Sequence, residues 1–520
     1  MGVNKSIARD TARTTIANIF VQIVAFFVSI VVAALFGATF HTDAYFLALG
    51  IPIIFTAALF GALKAVFIPV FMEYKVKFPE EERELLGSLY FSLIVLSIVV
   101  FLIMSIFAPL YIPIIARGFN PESKRLAVRL TLELLPLTIL TSMVGIFGSV
   151  YNAYQRFVLP MITPIVRSLV SIVFIVLTHK YFGVHSLAYG TVLGEFFQVL
   201  VLILILRKQH IYLGLRYFIH PAFLKMARLS VPQVLSNVFL EIRAMVDKIL
   251  IAGIVFGSIT SLNYATKLST IPLELFSTGG FLTVILSYWS KEKAEVGLES
   301  VRASLEKTLV VLFFVLGPII SAMFVLSDSV VRLIYERKAF APEATKNTGI
   351  LLSILLISVI PVLLGRTLTR VFFVVQDTWT PFFIGASRTI LNLVLNIIFR
   401  KFWGIAGIAL ASAVTSLILC VVLFILVKRK IGKIGYNKLI IKFVKILVAM
   451  GITSLSIKYL FFMFLRIFVT TQYFGLFLSL ALSTLLGGLL YILSLFVLQL
   501  DELFLVNNFL SNLGKRLIRR

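Results

Sequence analysis

Apolar residues run along this chain in long, nearly unbroken stretches, and the polar ones gather in short segments between them. These stretches show neither the alternation of a half-buried strand nor the one-sided stripe of a soluble helix. A helix needs about 20 apolar residues to cross a bilayer core, and by that criterion about 14 spans are read. They cover 15–38, 44–72, 87–115, 126–151, 157–178, 184–206, 230–256, 260–289, 305–326, 348–375, 381–399, 404–427, 439–465 and 474–499. The predicted fold class is an all-α integral membrane bundle. The first span is too long for a secretory h-region, and no A-x-A cleavage pattern follows it.

Composition sharpens that picture. With 60% hydrophobic and only 14% charged residues, a soluble enzyme is disfavoured, and 48 Phe exclude a disordered chain. Lys and Arg number 48 against 23 Asp and Glu, a formal net charge of +25. In a soluble domain this excess would point to nucleic acid. Between apolar spans it reads as basic loops that fix orientation, and no nucleic-acid partner is expected. With Lys5, Arg9 and Arg13 placed in the cytoplasm, inner segments hold about 26 basic residues and outer ones about 11. An even number of spans returns the C-terminal Lys515, Arg516, Arg519 and Arg520 to the same side. The outer loop 327–347, with Arg332, Arg337 and Lys338, departs from the trend and reads as an interfacial segment.

The chain also matches itself at a shift of about 221 residues. VYNAYQRFVLP (150–160) lies over VFFVVQDTWTP (371–381), pairing Gln155 with Gln376 and Pro160 with Pro381. At the same shift Arg167 meets Arg388 and Gly183 meets Gly404, and one residue short of it Phe36-Gly37 meets Phe256-Gly257 and Pro52 meets Pro272. Each copy holds about six spans, so both insert with one orientation, related by an axis along the membrane normal. The expected organisation is an N-terminal lobe over 1–208 and a cytoplasmic linker over 209–229. A C-terminal lobe over 230–430 follows, then two additional helices and a basic tail over 431–520. Two parallel lobes are the build of an alternating-access carrier with its site between them near the midplane.

Charges inside spans are costly and are functional candidates by default. Asp43 stands at the entry of the second span and Lys64 within it. The seventh span carries Glu241, Arg243, Asp247 and Lys248, the eighth Lys267 and Glu274, and the tenth Arg366 and Arg370. Arg243 and Asp247 share one helix face, as do Arg129 and Glu133, so mutual neutralisation is the plainer reading for the latter pair. Arg167 and Arg388 read as side chains snorkelling to the inner headgroups. Pro52 and Pro272 each interrupt a helix's hydrogen-bond ladder at matched positions, which points to hinges or to the substrate path. Catalytic readings fail: there is no H-E-x-x-H and no Walker A sequence, no G-x-S-x-G elbow, and one cysteine, Cys420. No enzyme activity is expected.

At these same residues the chain resembles the MurJ/MviN family of lipid II flippases, within the multidrug/oligosaccharidyl-lipid/polysaccharide exporter superfamily. LFGATFHTDAYFLALGIP (35–52) and FIPVFMEY (67–74) are similar to the family's F-G-A…D-A-F-F…P and F-V-P-x-x-x-E-Y. NAYQRFVLPMITP (152–164) is similar to N-x-x-x-R-F-x-x-P-x-x-x-P. YATKLSTIP (264–272) and RVFFVVQDTWTP (370–381) are similar to Y-A-D-R-L-x-x-x-P and R-x-F-Y-A-x-x-D-T-R-T-P. The resemblance implies a flippase of the bacterial cytoplasmic membrane moving an undecaprenyl-linked peptidoglycan precursor to the outer leaflet. It implies as partners that precursor, membrane lipids and cell-wall synthesis proteins.

The chain departs from the family pattern where Gln22, Val28 and Thr56 replace expected arginines, and where Thr266-Lys267 replaces an Asp-Arg pair. Phosphate favours Arg or Lys, so Lys64, Lys267 and Arg370, with Arg243 and Asp43, are the candidates for path or gates. No organic cofactor is expected. By resemblance, a sodium site of the second lobe falls on Asp247, Asn392 and Asn396, whose oxygens suit a hard cation; coupling to the membrane potential is the other option. Polar packing between helices would use the same side chains. Two other functions stay open: a cation-coupled exporter of drug-like molecules, and a non-transporting scaffold for envelope assembly.

Overall fold

The computed structural model describes residues 2–500 apart from 155, 157, 213, 216–219, 278–280, 378, 433–434 and 469–471. Among the described residues the regular structure is helical throughout. The order is α1 (Gly2–Phe36), α2 (Phe40–Lys77), a 3₁₀ turn (Pro79–Glu81), α3 (Glu82–Ile115), α4 (Pro121–Leu134), α5 (Leu137–Ala153) and α6 (Val158–Ile162). Then come α7 (Pro164–Phe182), α8 (His185–Lys208), α9 (Pro221–Ile251), α10 (Ser258–Ser277), α11 (Phe281–Glu295) and α12 (Leu298–Val325). The chain closes with α13 (Ser327–Tyr335), α14 (Pro342–Val374), α15 (Trp379–Ile431), α16 (Tyr436–Ile467) and α17 (Gln472–Val497).

Eleven helical segments among the described residues are long and apolar enough to cross a membrane, fewer than the spans read from sequence. One cause is fusion: the spans at 381–399 and 404–427 form the single element α15, turned at Gly404. Helices α9 and α10 occupy the expected seventh and eighth positions. The fourth span divides into α4 and α5 at Leu135-Pro136, where the proline ring crowds the preceding turn. In the loop 327–347 the structure places α13, with Ser327, Val331 and Tyr335 on its buried face.

The matched glycines Gly183 and Gly404 share one backbone conformation, with φ/ψ of 52/−134 and 56/−127. Only glycine adopts this region freely, so both inter-helix corners turn the same way for the same reason. Pro52 and Pro272 each lie inside a continuous helix, α2 and α10.

The chain forms two compact units. The first comprises Met1–Tyr264, Glu336–Ala344 and Gly385–Ile408, and the second comprises Ala265–Tyr335, Thr345–Ile384 and Ala409–Arg520. In the first, Phe67, Phe71, Leu85, Leu86, Val150 and Tyr151 centre an apolar core, and the Tyr151 hydroxyl donates to the Leu202 carbonyl at 3.0 Å. In the second, α12, α14, α15, α16 and α17 surround Trp289, Leu309, Leu368 and Tyr491. The Tyr491 hydroxyl donates to the Phe314 carbonyl at 3.0 Å. Apolar side chains also cover the outside: Leu455 on α16 and Val497 on α17 are 73% and 77% exposed. An aqueous surface would penalise that arrangement, whereas lipid is as apolar as these side chains.

Candidate functional site

In the first unit, one end of the helices is closed by backbone contacts and by one carboxylate. Asp43 stands in the first turn of α2 and is only 4% exposed. Its carboxylate accepts from the Gly257 N–H at 2.8 Å, the Thr260 N–H at 2.8 Å and the Thr260 hydroxyl at 2.7 Å. Gly257 and Thr260 flank the start of α10, whose first N–H groups have no partner within their own helix. Asp43 therefore caps α10 from another helix, with its negative charge at the positive end of the helix dipole.

Backbone packing reinforces this closure. Gly118 and Gly253 lie so close that a Cβ on either would overlap the other's loop: Gly118's would meet the Ala252 carbonyl and Gly253's the Gly118 carbonyl. Likewise Gly37 packs against Ala339 and Gly257 against Ala38, and the Ala339 N–H donates to the Ala34 carbonyl at 3.1 Å. Below this closed end α2 and α9 pack along each other. Lys248 donates from Nζ to the Phe46 carbonyl at 2.9 Å, and Asn237 from Nδ2 to the Ala57 carbonyl at 3.1 Å. Gly50 leaves the room that the Lys248 ammonium uses.

The residues matched to a sodium site do come together. Asn396 Nδ2 donates to Asp247 Oδ1 at 2.6 Å and to Asn392 Oδ1 at 3.2 Å. Asn392 and Asn396 are fully buried, and the Asn396 Oδ1 atom is buried with no hydrogen-bond partner. A buried amide oxygen without a donor is costly. Turning that amide about its terminal bond would bring its oxygen to the Asp247 carboxylate, an arrangement that a bound cation reconciles. One carboxylate and two amide oxygens are a donor set for a hard cation, so these residues fit one.

The other predicted positions are scattered. Lys64 lies on α2 and Arg243 on α9, and both side chains fall outside the described residues. Lys267 is an exposed side chain on α10. Arg370, on α14, is half-buried with its guanidinium 5.9 Å from the Phe373 ring centre. The Thr56 hydroxyl donates back to the Pro52 and Ile53 carbonyls at 2.9 and 3.0 Å, which meets the backbone near the proline rather than a ligand.

Two expectations need correction. The Glu133 carboxylate does not meet Arg129; it takes His185 Nδ1 at 2.8 Å and the Tyr189 hydroxyl at 3.1 Å. Arg167 reaches inward to Glu195, NH1 to Oε2 at 3.3 Å, instead of snorkelling outward.

Glu195 was overlooked in the sequence reading. It is 3% exposed and also accepts from the Thr141 hydroxyl at 3.1 Å. A lone acid in the apolar run 184–206 was the signal. In the stretch 370–381, Asp377 accepts from the Thr380 N–H at 3.0 Å and pairs with Lys430 at 3.0 Å. The Thr380 N–H, then the Lys430 ammonium, hold its pKa down at about 2. That cap of α15 is intact above the ordinary carboxylate range and is lost only as pH falls towards about 2.

A family model described as lipid II flippase MurJ matches residues 32–478. The chain belongs to that family. Its relative in Thermosipho africanus (strain TCF52B), a lipid II flippase MurJ, is 29% identical over 442 residues, covering 83% of this chain and 88% of that one. A solved structure of lipid II flippase MurJ in an inward closed conformation superposes with a TM-score of 0.79. It is 24% identical and covers 95% of this chain and 99% of its own. An inward-facing multidrug resistance MATE family transporter of the MOP superfamily follows at TM-score 0.67 and 14% identity, covering 80% and 98%. These two likenesses bear on the fold.

Proposed function

We propose that this protein is a lipid II flippase of the bacterial cytoplasmic membrane, a transporter that carries an undecaprenyl-linked peptidoglycan precursor from the inner to the outer leaflet. The observation that carries this reading is the family match, which runs through both sequence repeats. The distribution of Lys and Arg places both termini in the cytoplasm, so the end closed by Asp43 faces outward. Opening that end breaks the Asp43 bonds to α10; closing it reforms them. Enzymes that consume the precursor outside the membrane are the partners this reading predicts.

Lys267 and Arg370 are the cationic side chains assigned to the pyrophosphate. Arg offers a planar fork and Lys a mobile point charge. Asp247, Asn392 and Asn396 would hold a sodium ion, which would offset the buried carboxylate and tie α9 to α15. If so, sodium raises the melting temperature of the purified protein by about 2 °C over choline, and Asp247→Asn loses the difference. Equal melting in both salts would remove the ion from this reading.

Reconstitution with a fluorescent lipid II analogue tests the activity itself. Wild type is expected to deliver the analogue to the far leaflet, with Lys267→Ala and Arg370→Ala each slowing it about tenfold, the worth of one charge-assisted contact. Transfer of a cationic dye with no transfer of lipid II would favour a drug exporter. That reading draws on Gln22, Val28 and Thr56, which leave the first lobe without its expected arginines.

A further inference from the structure

The diversion of Glu133 from Arg129 leaves two arginines outside the residues assigned to the substrate path. Arg125 and Arg129 stand one turn apart on α4, both exposed, and neither has an ion-pair or hydrogen-bond partner among the described residues. They line a cavity of about 370 Å³ with His41, His185, Phe182 and Glu122. The carboxylate best placed to neutralise them, Glu133, is already engaged by His185 and Tyr189. Glu122 alone opposes two guanidinium groups, so the cavity keeps a net positive charge.

Its level in the membrane identifies the ligand's source. The α7–α8 corner beside the cavity exposes Tyr181 at 84% and Phe182 at 49%, the aromatic placement typical of the headgroup region. Helix α4 enters the apolar part of its span just beyond Arg125. Side chains spaced by one helical turn lie about 6 Å apart at their Cβ atoms, so two forks converge readily on one phosphate. We infer that this cavity binds the phosphate of an anionic lipid headgroup, a site separate from Lys267 and Arg370. Arg is the residue suited to bidentate phosphate binding.

The test is native mass spectrometry of the full chain released from bilayers of phosphatidylcholine containing phosphatidylglycerol. Wild type should retain a tightly held phosphatidylglycerol, and the Arg125→Gln/Arg129→Gln double variant should retain it at least tenfold less. Lys124→Gln, on the same helix but outside the cavity, should match wild type. Should the double variant fail to fold, Arg129→Lys, which keeps the charge and loses the fork, should give intermediate retention. Millimolar inorganic pyrophosphate then separates the sources: displacement of the lipid shows that any such phosphate is accepted, and no displacement shows that the acyl chains contribute. Equal retention by wild type and the arginine variants, or equal loss in Lys124→Gln, would overturn the inference.

Discussion

A Gly253→Ala variant is expected to flip lipid II at least about thirtyfold more slowly than wild type, because it cannot close the end of the first unit. Gly253 has φ of 79°, a left-handed conformation costing a residue with a Cβ about 1–2 kcal/mol. The added methyl would also overlap the Gly118 carbonyl. A backbone carbonyl between two helices cannot swing aside as a side-chain tip would, so the overlap adds to the conformational cost. Two kcal/mol alone is about thirtyfold in a conformational equilibrium. An alternating-access cycle that cannot reach one closed state delivers nothing, whichever way it starts. The comparison is Gly451→Ala on α16, where a Cβ meets nothing and alanine favours the helix. That variant should flip at the wild-type rate. Equal rates for both alanine variants, at equal melting temperatures, would show that the Gly118–Gly253 contact is not part of the cycle.

The fold was legible because lipid imposes a simple rule: backbone polar groups must be satisfied within each span, so long apolar runs mean helices. What the runs do not encode is where helices join or divide. Gly404 turns α15 without ending it, and Pro136 divides a stretch that hydropathy reads as continuous. Helices α9 and α10 carry charges within their lengths, at Glu241, Arg243, Asp247, Lys248, Lys267 and Glu274. They were recognisable because the repeat lays α9 over the first span and Pro272 over Pro52.

The site was legible unevenly. Asp43 was identified as a gate from its position at the span entry, and its carboxylate does join two helices, though as a cap on α10 rather than as a group facing a ligand. Asp247, Asn392 and Asn396 were grouped through the family likeness, and the structure brings them together. Spacing along one helix served less well. It paired Arg129 with Glu133, but it says nothing of what a neighbouring helix offers, and His185 and Tyr189 were nearer to hand. Gly118 and Gly253 escaped notice because a glycine serving a close approach looks in sequence like any other glycine.

Replacing Asp43 by asparagine is expected to shift the equilibrium away from the closed state about tenfold or more. The carboxylate serves three donors, Gly257 N–H, Thr260 N–H and the Thr260 hydroxyl. An asparagine has one oxygen to offer, and its NH₂ group must then face a donor, so at least one buried N–H loses its acceptor. A hydrogen bond to a charged group contributes about 1.5–3 kcal/mol, and removing the charge also gives up its attraction to the α10 dipole. Ser261, on α10 and 3% exposed, reports the change when replaced by cysteine with Cys420, itself buried, replaced by serine. An impermeant maleimide should label Ser261→Cys slowly in the wild-type background and about tenfold faster with Asp43→Asn. The same variant should flip lipid II several-fold more slowly, since the state lost is one the cycle must visit. Faster labelling with unchanged flipping would make Asp43 a structural cap that transport does not use. Unchanged labelling would mean that the closure rests on the glycine contacts, and the Gly253→Ala variant would then carry the whole effect.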